Sequence, residues 1–128
     1  MEASLRALVV DDSEFSRVLV RRCLEGLGIE VVVAENGMKG IEVASVSTFH
    51  VILADVNMPF VDGIEMLKTM RSLPGYESVP FVVITAETSS EAVAGANELG
   101  IKAWMAKPIQ PRMLAKAVER LLAERLLD

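Results

Sequence analysis

Two rhythms of hydrophobic and polar positions alternate along this chain. Mainly apolar runs of strand length recur at Leu5 to Val10, Ile29 to Ala34, Val51 to Ala54, Phe81 to Ile84 and Ala103 to Ala106. Between them, apolar residues return at three- and four-residue steps, the spacing of one helix face. Phe15, Leu19, Cys23 and Leu27, with Val18 beside them, predict a first helix that Gly28 stops. Asn36-Gly37 alone would suit a hairpin, but no alternating strand follows, so the chain is read as turning into a short helix with Ile41 and Ala44. Met66, Leu67, Met70 and Leu73 mark a third helix, and the prolines and glycine of "LPGYESVP" mark the loop after it. A fourth, capped by Ser89 or Ser90, carries Ala92, Ala96 and Leu99 and ends at Gly100. The fifth runs from about Pro111 with Leu114, Ala117, Val118, Leu121 and Leu122 inward. Five repeats of strand then helix predict an α/β fold, a parallel sheet with helices on both faces, because right-handed crossovers lead there.

Composition narrows the picture. At 128 residues the chain is one domain, read as spanning 1–128, and large enough to bury a core without staples. Its single cysteine, Cys23, excludes an internal disulfide and reads as a small apolar filler on a helix. No apolar run approaches the roughly 18 residues of a membrane span, and "MEASLRALVV" lacks the basic start and long apolar stretch of a secretory signal. A cytoplasmic location without membrane insertion is expected. The net charge of −5 argues against nucleic acid as a direct ligand. Cations do gather at Lys102, Lys107, Arg112, Lys116, Arg120 and Arg125, but Glu119 and Glu124 interrupt them, as on a solvated helix face.

The chemistry-bearing residues fall at strand ends. In "HVILADVNMPFVDG" an apolar strand delivers one carboxylate, Asp55, to its tip, where an unpartnered charge would lose solvation. Asp11 and Asp12 follow the first strand, Thr85 the fourth and Lys107 the fifth. Parallel strands present these ends on one edge, where ligands of open sheets bind. The second strand offers nothing similar, which fits a place at the sheet margin. Two carboxylates about 4 Å apart repel by roughly 4 kcal/mol at an effective dielectric near 20, so three together call for a cation. Few carboxylates with room for water and phosphate oxygens suit Mg²⁺ better than Ca²⁺. Lys107 supplies a point charge and Thr85 a hydroxyl, both matched to phosphoryl oxygens. Singly, each has a structural alternative: a capping pair at Asp11-Asp12, a turn cap at Asp55, a helix stop at Thr85, a snorkelling Lys107. Their convergence points instead to phosphoryl transfer onto a carboxylate.

With those residues in view, "LVVDDSEFSR", "AENG", "ILADVNMPFVDGIEMLKTMR", "VVITAE" and "AWMAKPI" resemble, in order and over the whole chain, the receiver domains of two-component response regulators. Within them the chain is most similar to the single-domain chemotaxis regulators of the CheY type. The resemblance implies a flavodoxin-like, doubly wound, five-stranded sheet of order 2-1-3-4-5 with five helices in three α/β/α layers. It implies that Asp55 is the phosphoacceptor, served by a histidine kinase, a histidine phosphotransfer protein or a small donor such as acetyl phosphate. Mg²⁺, for which Mn²⁺ can substitute, would be held by Asp12, Asp55 and the backbone carbonyl of Asn57, with Asp11 reaching it through water. Lys107 would contact the phosphoryl group, with a cis bond to Pro108. Thr85 and Trp104 resemble the switch pair, although Trp replaces the commoner Tyr or Phe and is bulkier to turn inward. Asn57, Ala86 and Glu87 hold positions that tune phosphoryl access and hydrolysis. His50, the only histidine, precedes the third strand and is assigned no part in phosphotransfer.

Such a protein is a switch rather than an enzyme in the ordinary sense, apart from promoting its own phosphorylation and slow dephosphorylation. Its output would be a changed affinity for a downstream protein on the face made by the fourth helix, fifth strand and fifth helix. A monomer is expected, with dimerisation open on activation. Because the chain ends just after the last helix, output through another protein is expected, unless this is a receiver excised from a larger response regulator or hybrid histidine kinase. A phosphatase of the haloacid dehalogenase type also uses an Asp after a strand. It needs an acid two positions later, where Asp11 is followed by Ser13, and Asp12 by Glu14 without a downstream motif.

Overall fold

Backbone hydrogen bonding resolves the two rhythms into a single parallel sheet covered on both sides. The computed structural model describes residues 5–58, 61–86 and 99–127, with 125–127 as backbone only. In chain order the elements are β1 (Arg6–Val10), α1 (Glu14–Glu25), β2 (Glu30–Ala34), α2 (Gly37–Val46), β3 (Val51–Ala54), α3 (Gly63–Arg71), β4 (Phe81–Thr85), β5 (Ala103–Ala106) and α4 (Pro111–Leu127). All neighbouring strands pair in parallel, in the order β2-β1-β3-β4-β5. This is the expected flavodoxin-like order, with β2 at one margin and β5 at the other. The helix expected from Ser89 or Ser90, with Ala92 and Ala96, lies outside the described residues, so four helices are described where five were expected.

Strand alternation splits the core in two. Leu8, Val10, Ile52, Ala54, Phe81 and Val83 face one way, against α2 and α3, with Met66, Leu67 and Met70. Ala7, Val9, Val51, Leu53, Val82 and Ile84 face the other way, against α1 and α4, with Val20, Leu24, Leu114 and Val118. Every residue of β3 and β4 is buried, as expected for inner strands covered on both sides.

The first helix departs from the sequence expectation in phase and length. Ser16, Val20 and Leu24 are buried, whereas Phe15 is 78% exposed and Leu19 only partly covered. Ser13 caps the helix, its hydroxyl accepting the Ser16 amide at 3.2 Å. The small Ser16 then lies against the sheet, which rotates the larger Phe15 outward. The helix ends at Glu25 with Gly26 as its cap, and Gly28, at φ +81°, serves the turn into β2. Cys23 is half-buried against the Pro111 carbonyl, 3.4 Å away, consistent with a filler.

Two contacts fix the ends of the layer around α3. Arg71 donates to the carbonyls of Tyr76, Val79 and Leu99 at 2.8, 2.8 and 2.9 Å while stacking 3.8 Å over Phe81. At the other end, Gly63 donates to the Val56 carbonyl at 2.9 Å, and a Cβ there would collide with the Asp55 carbonyl oxygen and lie 2.9 Å from the Val56 Cα. Only glycine lets α3 start this close to the chain leaving β3. Gly63→Ala should therefore cost on the order of 3 kcal/mol and lower the melting temperature by about 10 °C in a thermal scan. A wild-type melting temperature would show that the loop yields.

Candidate functional site

Side chains two apart on a strand share a face, and that parity assembles the site. Asp11 follows Ala7 and Val9, Asp55 follows Val51 and Leu53, and Lys107 follows Ala103 and Met105, all in phase with the α1–α4 side of the sheet. The hydrogen-bonding pattern also runs one residue beyond the strands: Asp11 N–H donates to Ala34 O, Asp55 N–H to Val10 O and Lys107 N–H to Thr85 O, at 3.2, 3.1 and 3.0 Å. Three charged side chains are thereby held level at the C-terminal edge.

Lys107 Nζ lies 2.8 Å from Asp55 Oδ2 and 2.9 Å from Asp11 Oδ2. The remaining oxygens are turned to backbone amides, Asp11 Oδ1 accepting from Ser13 at 2.9 Å and Asp55 Oδ1 from Asn57 at 3.0 Å. Asp11 and Asp55 are only 5% and 6% exposed, whereas Asp12 stands open to solvent. One carboxylate oxygen from each of Asp11, Asp12 and Asp55 lies within 4.8 Å of the other two. Three carboxylates against one ammonium leave two negative charges uncompensated. An all-oxygen donor set with that residual charge fits a hard divalent cation, Mg²⁺ above all.

Burial holds the Asp11 carboxyl above its ordinary 3.8, outweighing the Ser13 amide and the Lys107 ammonium that pull it down, while the Asp55 charge adds to the rise. Burial pulls Lys107 down, yet hydrogen bonds to Asp55 and Asp11 more than compensate, and it ends above its ordinary 10.5. The two shifts have opposite meanings for the charged forms: burial outweighs the partners of Asp11 and disfavours its carboxylate, whereas the two carboxylates outweigh burial at Lys107 and favour its ammonium.

Thr85 is fully buried at the end of β4, in phase with Phe81 and Val83 and therefore facing the α2–α3 side. Trp104, paired in register with Val83, packs half-buried against that same core. Its indole Nε1 is buried with no hydrogen-bond partner among the described residues. Asn57 and Ala86 are exposed beside the cluster, Glu87 lies outside the described residues, and the Lys107-Pro108 bond is cis. His50 sits before β3, at the opposite end of the sheet, where Nδ1 accepts the Arg6 amide at 2.9 Å.

Two features escaped the sequence reading. Phe15, one turn from the acidic cluster, is exposed rather than core. Arg17, quoted only as part of a motif, donates from Nη1 to the Asp11 carbonyl at 2.7 Å; no spacing rule signals such a contact.

The family model of the response regulator receiver domain matches residues 7–119. The chain is 31% identical over 116 residues to a probable chemotaxis protein CheY of Rhizobium etli, covering 90% of each. It is also 31% identical over 108 residues to the sensory/regulatory protein RpfC of Xanthomonas campestris, covering 83% of this chain and 15% of that one. Among solved structures, the chemotaxis protein CheY4 of Vibrio cholerae superposes with a TM-score of 0.88 at 35% identity, covering 93% of this chain and 99% of that one.

The signs of the shifts predict how the metal-free fold responds to pH. Asp11, raised on folding, favours the fold while protonated and loses that contribution as pH rises through its folded value. Lys107, also raised, stabilises throughout neutral pH and loses its contribution only above 10.5. In EDTA at pH 7, Asp11→Asn should therefore melt higher than wild type, with the gap closing as pH falls through the raised folded value toward 3.8. A variant that melts lower at pH 7 would show that the pair with Lys107 outweighs burial.

Proposed function

The chain belongs to the response regulator receiver family, and on that premise we propose that it is a CheY-like, phosphorylation-driven switch with Asp55 as its phosphoacceptor. One observation carries this reading: Asp55 is buried at the strand edge with one oxygen tied to Asn57 and the other to the Lys107 ammonium. The second oxygen is the nucleophile. It attacks the phosphorus of a phosphohistidine or of a small acyl phosphate, the bond from phosphorus to imidazole nitrogen or acyl oxygen breaks, and the leaving group departs with the bonding pair. Asp55 is left as an acyl phosphate, later returned to carboxylate by water.

Asp11, Asp12, Asp55 and the Asn57 backbone carbonyl would hold Mg²⁺, or Mn²⁺ in its place. The cation would neutralise phosphoryl oxygens and draw donor and acceptor together. Lys107 passes from Asp55 Oδ2 to a phosphoryl oxygen, which releases the nucleophile and keeps the ammonium paired. Ala86, being small, leaves the phosphoryl accessible, and Asn57 and Glu87 tune its hydrolysis. The reaction is a single modification of the protein's own side chain, so the chain acts as a switch and not as a turnover enzyme. Family membership leaves the dehalogenase-type phosphatase without support.

Thr85 and Trp104 form the switch. Leaving a buried N–H unpaired costs about 1–3 kcal/mol, so the ring position with Nε1 orphaned has a ready competitor. Inverting such an element from 1:99 to 99:1 needs about 5.5 kcal/mol, within reach of new charge-assisted contacts from Thr85 and Lys107 to the phosphoryl group. The output surface is the face of the fourth helix expected from the sequence, which lies outside the described residues, with β5 and α4, where Trp104, Met105, Ala106, Gln110 and Met113 line a cavity of about 170 Å³. A downstream protein would bind there, and a histidine kinase or phosphotransfer protein would approach past the exposed Phe15. The proposal includes a cytoplasmic monomer; among the described residues no helix is long and apolar enough to cross a membrane. The match to a small part of a longer sensory/regulatory protein supports a second setting, in which the same module serves within a larger chain.

Incubation with Mg²⁺ and acetyl phosphate, followed by intact-mass measurement, should give a hydroxylamine-labile phosphoryl adduct on wild type and none on Asp55→Asn. Equal adducts on both would relocate the acceptor. Trp104 emission should respond to Mg²⁺ with beryllofluoride, and an unchanged spectrum would count against the moving ring.

A further inference from the structure

Asp11 has a partner at each of its four polar atoms: Ala34 at the amide, Ser13 and Lys107 at the carboxylate, Arg17 at the carbonyl. The contact with Arg17 is the shortest of these, 2.7 Å. Arg17 is the fourth residue of α1, and to reach that carbonyl its guanidinium folds back toward the positive end of its own helix. A cation gains nothing from the helix dipole there. Nor does the guanidinium pair with a carboxylate oxygen of Asp11, both of which are taken by Ser13 and Lys107. What the contact does fix is the peptide plane joining Asp11 to Asp12. Of that pair, Asp11 is locked by its own contacts, whereas Asp12 is exposed, and the plane that precedes it is the anchor from which its side chain extends.

We propose that Arg17 is the positioning residue of the cation site: by clamping the Asp11-Asp12 peptide, it turns the Asp12 carboxylate toward Asp11 and Asp55. The inference rests on reading the acidic cluster as a Mg²⁺ site. Arg17 is only half-buried and lines, with Val33, Ala34, Glu35 and Lys39, an open notch of about 270 Å³ on the β2 side of the cluster. It is therefore not a core staple, and replacing it leaves both hydrophobic layers intact. Groups that orient metal ligands in this way commonly change metal affinity about 10- to 100-fold when removed.

The test is calorimetric titration with MgCl₂ of wild type, Arg17→Met and Arg17→Lys, with melting of each in EDTA. Arg17→Met should weaken Mg²⁺ binding about 10- to 100-fold while melting near wild type in EDTA, and Arg17→Lys, which keeps one donor, should recover much of the affinity. Wild-type affinity in Arg17→Met would overturn the clamp, as would an affinity loss matched by a collapse of the EDTA melting temperature. If Arg17→Met does not fold, Arg17→Lys decides: a folded variant with affinity between wild type and none supports the clamp, and full wild-type or fully lost affinity overturns it. A wild-type chain that fails to bind Mg²⁺ would instead overturn the metal reading itself.

Discussion

Like charges crowded at one sheet edge are the constraint around which the rest is arranged. Asp11 and Asp55 are brought together by strand pairing, which fixes the backbone regardless of what the side chains prefer. Each is almost wholly buried, and the single ammonium of Lys107 bridges them from β5, two strands away from β3. The arrangement is held by the sheet and not by its own electrostatics. That leaves the edge deficient in positive charge and receptive to a cation.

Much of this was legible in the sequence. The apolar runs gave the strands to within a residue, and the polar residue closing each run marked the edge where they converge. Parity along a strand extends the reading: given parallel strands, Asp11, Asp55 and Lys107 must share a face. The phase of α1 was not legible. Phe15-Leu19-Cys23 and Ser16-Val20-Leu24 are both four-residue stripes, and hydrophobicity favours the first, while the cap at Ser13 and the need for a small residue against the sheet select the second. The helix end was misplaced for a related reason, since Gly28 is the stronger punctuation but Gly26 comes first and suffices.

Long-range side-chain contacts with backbone carbonyls were likewise beyond reach. Arg71 binds the Leu99 carbonyl 28 residues away, and Arg17 that of Asp11, with no periodicity in either case. Both are arginines, whose forked donors suit carbonyls that strand and helix termini leave unpaired. Such residues read as ordinary surface charge until the fold closes around them. They are then the groups that hold loops in register at the two ends of the sheet.

The sheet also separates two kinds of residue that act together. Asp11, Asp55 and Lys107 are in phase with the side covered by α1 and α4, while Thr85 and Trp104 belong to the side covered by α2 and α3. The acidic cluster and the pair Thr85 and Trp104 thus lie on opposite faces of a sheet one strand thick, so any coupling between them has to pass around the strand ends and not through a shared core layer.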